Sequence, residues 1–184
     1  MLSWLSKQIL HLLGWKLEGK YPYHLSKFVL IVIPHTSNWD FPLGLLVRKA
    51  LRSDIKFLAK KSLFRFPFGS LFQWLGGYPV DRSRSQNFVD AVVEMIEKKK
   101  EMIVCIAPEG TRSKVEKLKS GFYYIARGAQ IPILMVKFDY KEKVIGFAEP
   151  FLPPSTYEET LEKLMAYYKG VEGKFPEQIW AAIQ

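Results

Sequence analysis

His35 and Asp40 stand five residues apart in Pro34-His35-Thr36-Ser37-Asn38-Trp39-Asp40. Imidazole is the side chain best suited to take a proton near neutral pH. A carboxylate at that spacing can fold back to one ring nitrogen and leave the other free as a general base. The pair also has a plainer reading. An Asp ahead of a helix often only caps it, and a His after a strand often only meets solvent.

Two further polar stretches carry chemistry-bearing types. Asp81-Arg82 follows Tyr78-Pro79-Val80, and Ala107-Pro108-Glu109-Gly110-Thr111-Arg112-Ser113 follows Met102-Ile103-Val104-Cys105-Ile106. Arginine forks suit phosphate oxygens, and a glycine between polar residues lets backbone approach a ligand closely. A base, an orienting acid and two arginines together point to a hydroxyl activated on a phosphorylated substrate. The single Cys105 lies inside an apolar strand pattern, so it reads as packing. With one cysteine there is no intrachain disulfide and no Cys-rich zinc site.

These loops need elements to hold them. Phe28-Val29-Leu30-Ile31-Val32-Ile33 is short, apolar and β-branched, so it reads as a buried strand ending at Pro34. Residues 41–49 read as a helix, with Pro42 in its first turn and the N-cap near Trp39 or Asp40. Ser37-x-x-Asp40 also resembles a capping box. Strands are expected at 55–60, at 78–80, at 102–106 and at 131–138, with a hairpin partner at 144–148. Helices are expected at 83–100, from 119–121 to 126 and at 156–169, with a short last one at 176–183. Broken, aromatic-rich helical pieces fill 60–75. Strand alternating with helix predicts a single-domain α/β fold over 1–184, with a mixed, mostly parallel β-sheet flanked by helices. In such a sheet the three polar loops gather at one edge.

Residues 2–15 form an N-terminal amphipathic helix candidate, with Leu2, Leu5, Ile9, Leu12 and Leu13 at helical spacing. It either packs on the domain or lies in a membrane interface. The formal net charge is +9, which favours an anionic membrane surface, a phosphorylated substrate or an acidic carrier. Basic residues are dispersed and no nucleic-acid motif occurs, so no nucleic acid is expected. No run reaches the roughly 18 apolar residues of a membrane span, and no secretory signal is evident. The expected location is cytoplasmic.

The blocks at 35–40, 77–82 and 108–113, with Ile131-Pro132-Ile133-Leu134, resemble the glycerolipid acyltransferase family, typified by 1-acylglycerol-3-phosphate acyltransferases. That family's blocks are His-x-x-x-x-Asp, Gly-x-x-Φ-x-Arg (Φ apolar), Φ-Pro-Glu-Gly-Thr-Arg-Ser and an apolar-Pro strand. The resemblance spans about residues 28–138. Two positions depart from the pattern: Ala107 replaces a bulkier apolar residue, and Met135 replaces a second proline. The resemblance implies a glycerol-3-phosphate acyltransferase-like fold, with 28–138 as the motif-bearing core and 156–184 as C-terminal helices. It also implies acyl transfer from acyl-CoA or acyl-carrier protein, as co-substrate, to a lysophospholipid-type acceptor. Neither a resident cofactor nor a metal is implied. Carried over by position, His35 is the base and Asp40 orients it. Arg82, Glu109, Gly110, Thr111 and Arg112 hold the acceptor head group, and Lys60 contacts phosphate. Peripheral attachment to the inner face of the membrane follows. Another lipid or glycolipid acceptor, a thioesterase using water, and a non-catalytic membrane-surface protein are the competing readings.

Overall fold

The apolar run at 28–33 lies in the middle of a seven-stranded sheet. The structure is a computed structural model and describes residues 2–80 and 85–184. The strands are β1 (Lys16–Glu18), β2 (Lys27–Ile33), β3 (Ile55–Lys60), β4 (Gly77–Val80), β5 (Met102–Ile106), β6 (Ile133–Asp139) and β7 (Val144–Phe147). Their spatial order is β1-β7-β6-β2-β5-β3-β4. β6, β2, β5, β3 and β4 are parallel, β7 runs antiparallel to β6, and β1 pairs parallel with β7. The expected mixed, mostly parallel sheet is therefore present.

The period-2 geometry of strands divides β2 between two cores. Val29, Ile31 and Ile33 pack with α4 (Ser85–Glu97), α5 (Gly121–Gly128) and α6 (Tyr157–Tyr168). Phe28 and Leu30 face the other side, with α1 (Leu2–Leu12) and α2 (Asp40–Ala50). β6 divides the same way, Ile133 and Met135 against Leu134, Val136 and Phe138. Burial on both faces explains why these strands read as continuous apolar runs. Each fully buried side chain of this kind contributes about 1.5–3 kcal/mol.

Several expectations shift. The first helix ends at Leu12, because Gly14 takes a positive φ of 79° and turns the chain. Trp15 is thereby returned to the core, its N–H donating to the Leu10 carbonyl at 2.8 Å. β1 was not anticipated. Its three residues are all exposed and gain strand geometry only by pairing with β7. The broken region at 60–75 resolves into a 3-10 turn (Lys61–Phe64) and α3 (Gly69–Trp74). Strand β6 begins at Ile133 instead of residue 131, Pro132 having no N–H to give the ladder. The final helix is a pair of 3-10 turns, Pro176–Gln178 and Ala181–Ile183. The helix expected over 83–100 is described from Ser85 to Glu97.

Candidate active site

The parallel strands end along one edge, and three neighbours there, β6, β2 and β5, each release a loop carrying one polar group. Past β2 lies His35, past β5 Glu109, and past β6 Tyr140. This is where open α/β sheets place their sites.

His35 Nδ1 lies 2.9 Å from Asp40 Oδ2. With the carboxylate accepting, Nδ1 is the donor and Nε2 is the nitrogen left for another partner. The His35 side chain is 24% exposed, so the ring remains within reach of a substrate. Asp40 is 5% exposed and opens α2, where a negative charge suits the helix N-terminus. Its Oδ2 also accepts the Ser37 N–H at 3.0 Å, and Ser37 Oγ accepts the Trp39 N–H at 3.1 Å. The N-cap is Trp39, which makes no side-chain cap bond, so the Ser37-x-x-Asp40 bonds fix the turn ahead of α2 and do not form a capping box. The remaining oxygen, Oδ1, accepts the Tyr140 hydroxyl at 2.6 Å. Asp40 is held by three donors and leaves the histidine one orientation.

Glu109 supports the same loop from the other side. Its Oε1 accepts the His35 backbone N–H at 2.8 Å. The residue is 4% exposed, and Oε2 is buried with no hydrogen-bond partner. Burial pushes its carboxyl up to about 7, against the lowering effect of the backbone N–H groups it accepts from. Gly110, Thr111 and Arg112 are exposed beyond it. Gly110 has φ 67°, the left-handed region that favours glycine. Among the described residues no ion pair engages Arg112.

Lys60 ends β3, next to β5 in the sheet. Arg82 falls outside the described residues. His11 and His24 are exposed. Burial pushes the Cys105 thiol up to about 12, which leaves it a poor nucleophile. Among the described residues, no three His, Cys, Asp or Glu side chains gather as a metal cage.

Sequence reasoning missed Tyr140 and the C-terminal segment. Thr36 Oγ1 accepts the Phe175 N–H at 3.2 Å. Gly173 passes so close that a Cβ would meet Thr36 Oγ1 at 2.5 Å. Gln178, with its amide NH2 turned inward, donates to the carbonyls of Thr36, at 3.0 Å, and Arg112. It fastens the two site loops together. No local signal marks these residues, since each acts only through a partner far off in sequence.

A family model described as Acyltransferase matches residues 16–138. The chain is 38% identical over 120 residues to a 1-acyl-sn-glycerol-3-phosphate acyltransferase of Saccharomyces cerevisiae, covering 60% of this chain and 38% of that protein. It is 27% identical over 133 residues to the Escherichia coli protein of the same name, covering 68% and 53%. To the human 1-acyl-sn-glycerol-3-phosphate acyltransferase beta it is 30% identical over 147 residues, covering 75% and 51%. The match thus spans about half or less of each of these relatives. The fold is similar to the crystal structure of the Thermotoga maritima 1-acyl-sn-glycerophosphate acyltransferase, PlsC, with TM-score 0.58 and 19% identity, covering 90% of this chain and 74% of that one. On the family match across 16–138, the chain belongs to the Acyltransferase family.

Proposed function

We propose that the chain transfers a fatty acyl group from the thioester of acyl-CoA or acyl-carrier protein to the free hydroxyl of a lysophospholipid, foremost 1-acylglycerol-3-phosphate. The observation that carries this reading is the 2.9 Å contact between His35 Nδ1 and Asp40 Oδ2 at the open edge of the sheet. The names of the relatives support the acceptor class.

In this mechanism Nε2 of His35 removes the hydroxyl proton as the oxygen attacks the thioester carbonyl. The tetrahedral intermediate collapses, the carbon–sulfur bond breaks, and the departing thiolate takes the proton back from His35. The products are an ester and a free thiol, with no acyl-enzyme and no cofactor beyond the acyl carrier. Asp40 holds the ring and balances its transient charge. Arg82 and Arg112 bind the acceptor phosphate, Lys60 assists, and the Gly110-Thr111 backbone lies against the head group. Glu109 acts behind them, through the His35 N–H. The acceptor is a membrane lipid, so the chain works peripherally at an anionic, cytoplasmic membrane face. Among the described residues no helix is long and apolar enough to cross a membrane, and the apolar side of α1 supplies an attachment.

The test is to incubate the protein with labelled acyl-CoA, or acyl-carrier protein, and a panel of lysolipids. Wild type should give the diacyl product with a phosphorylated acceptor. His35→Ala should lose about 100- to 10,000-fold in turnover, the usual worth of general-base assistance, with its melting temperature kept. Asp40→Asn should fall between the two. Near-normal turnover in His35→Ala would overturn the mechanism, and fatty acid release regardless of acceptor would assign a thioesterase.

A further inference from the structure

Phe66 is 98% exposed and Trp74 72%. Phe68 and Leu71, between them in sequence, are exposed as well. Large apolar groups thus crowd onto one short stretch, and a built turn presents them. The Gly69 N–H donates to the Arg65 carbonyl at 3.1 Å. A Cβ at Gly69 would stand 2.1 Å from the Phe64 carbonyl oxygen. Phe64 and Phe72 meet edge-on at 6.2 Å beneath it. With its two ends fastened, the turn offers its middle residues to the outside.

The charge around it has one sign. From residue 55 to residue 80 there is no Asp or Glu, and Lys61 and Arg65 of the turn are basic, while Lys56 pairs with Asp54 at 2.9 Å. Lys49 of α2 places its Nζ 5.9 Å from the Trp74 ring. Exposed aromatics on a basic stretch suit the boundary of an anionic bilayer, where rings sit among head groups and lysines meet phosphates. Between α2 and the C-terminal end of α3 runs a groove of about 380 Å³, lined by apolar residues such as Leu45, Leu46 and Trp74 together with the basic Arg48 and Lys49.

We propose that the turn at 64–69, with α3, inserts into an anionic lipid surface as an anchor separate from α1. This rests on the reading of a membrane-resident acceptor. The test uses the full chain with phosphatidylcholine vesicles, with and without phosphatidylglycerol. Phe66→Ser combined with Phe68→Ser should lower partition onto the anionic vesicles about a hundredfold, with melting temperature unchanged. Turnover on a short-chain acceptor dispersed as monomers should stay at the wild-type level. Unchanged vesicle binding by the double variant would overturn the proposal. So would self-association of the wild type in lipid-free buffer that the double variant abolishes, since the face would then belong to a second copy. Vesicle binding through this turn without any acyl transfer would support the anchor and overturn only the acyl-transfer reading.

Tyr140 lies outside the matched segment 16–138, yet its hydroxyl is 2.6 Å from Asp40 Oδ1. Its backbone N–H donates to the Glu172 carbonyl at 2.8 Å, and its ring meets Trp15 edge-on at 5.0 Å. Burial, and then its bond to Asp40, drive the phenol far above its usual range, which keeps it a donor. We infer that Tyr140 is a positioning residue that fixes Asp40 and, through it, His35. Tyr140→Phe keeps the ring on Trp15 and removes only the hydroxyl. It should lower kcat about tenfold and leave KM for both substrates within about twofold. In an Asp40→Ala background the same change should have almost no further effect, because no oxygen is left there to accept the hydroxyl. A wild-type kcat in Tyr140→Phe, or losses that simply multiply in the double variant, would overturn the role.

Discussion

Glu109 is a buried acid whose second oxygen has no partner, and this makes it a pH-dependent element of stability. Its carboxyl is raised from 4.5 to about 7. Between those values the folded chain holds a proton that the unfolded chain releases, so stability falls as pH rises. The contribution is fully present below about 4.5 and is lost as pH passes through about 7. Glu109→Gln keeps an acceptor for the His35 N–H and cannot ionise. Its stability relative to wild type should therefore grow by a few kcal/mol, on the order of 2–3, between pH 5 and pH 8. Urea melts of both proteins at the two pH values measure this, and a difference that does not vary with pH would show that the carboxyl is not desolvated. At this scale, what could be read from the sequence depended on separation. His35 and Asp40 are five residues apart and were visible as a pair. The bond from Tyr140 to Asp40 spans 100 residues, and that from Glu109 to His35 spans 74. Glu109 could be named as a site residue from its motif, but its hold on the His35 backbone could not.

Among the elements, those that stand on their own composition were legible. β2, β5 and β6 are apolar because both faces of the sheet are covered, and that burial is itself the sequence signal. Strand β5 carries the expected bounds, Met102–Ile106, and the β6–β7 hairpin pairs antiparallel as its turn suggested. α6 was visible from Thr156, whose hydroxyl caps the Glu159 N–H at 3.3 Å. Elements that exist only through a neighbour were not. β1 has three exposed residues and no apolar pattern, and the segment at 173–178 has no periodicity at all. That segment nonetheless braces the Thr36 backbone and side chain, and its Lys174 Nζ lies 4.6 Å from the Trp39 ring. The fold is thus written mainly in its central strands, while the site's rigidity comes from loops whose partners only the tertiary structure brings together.

For the whole molecule, the proposed attachment to a lipid surface rests on two forces with different dependence on salt. The formal charge of +9 attracts the chain over a distance of about 8 Å at physiological ionic strength, and added salt shortens that reach. Each basic residue near an anionic surface contributes about 1 kcal/mol before screening. Insertion of Phe66, Phe68 and the exposed leucines of α1 removes apolar area from water, and this part is not screened. Binding to anionic vesicles should therefore fall steeply as salt is raised from 0.05 to 0.5 M (about 14 Å to 4 Å of Debye length) and then level off at a residual set by the apolar groups. On neutral vesicles only that residual should appear, nearly independent of salt. The Phe66→Ser, Phe68→Ser variant should keep the salt-sensitive part and lose much of the plateau. Vesicle sedimentation across the salt series separates the two. Binding that vanishes completely at high salt in the wild type would mean that charge alone holds the chain at the surface and that its exposed aromatics never leave water.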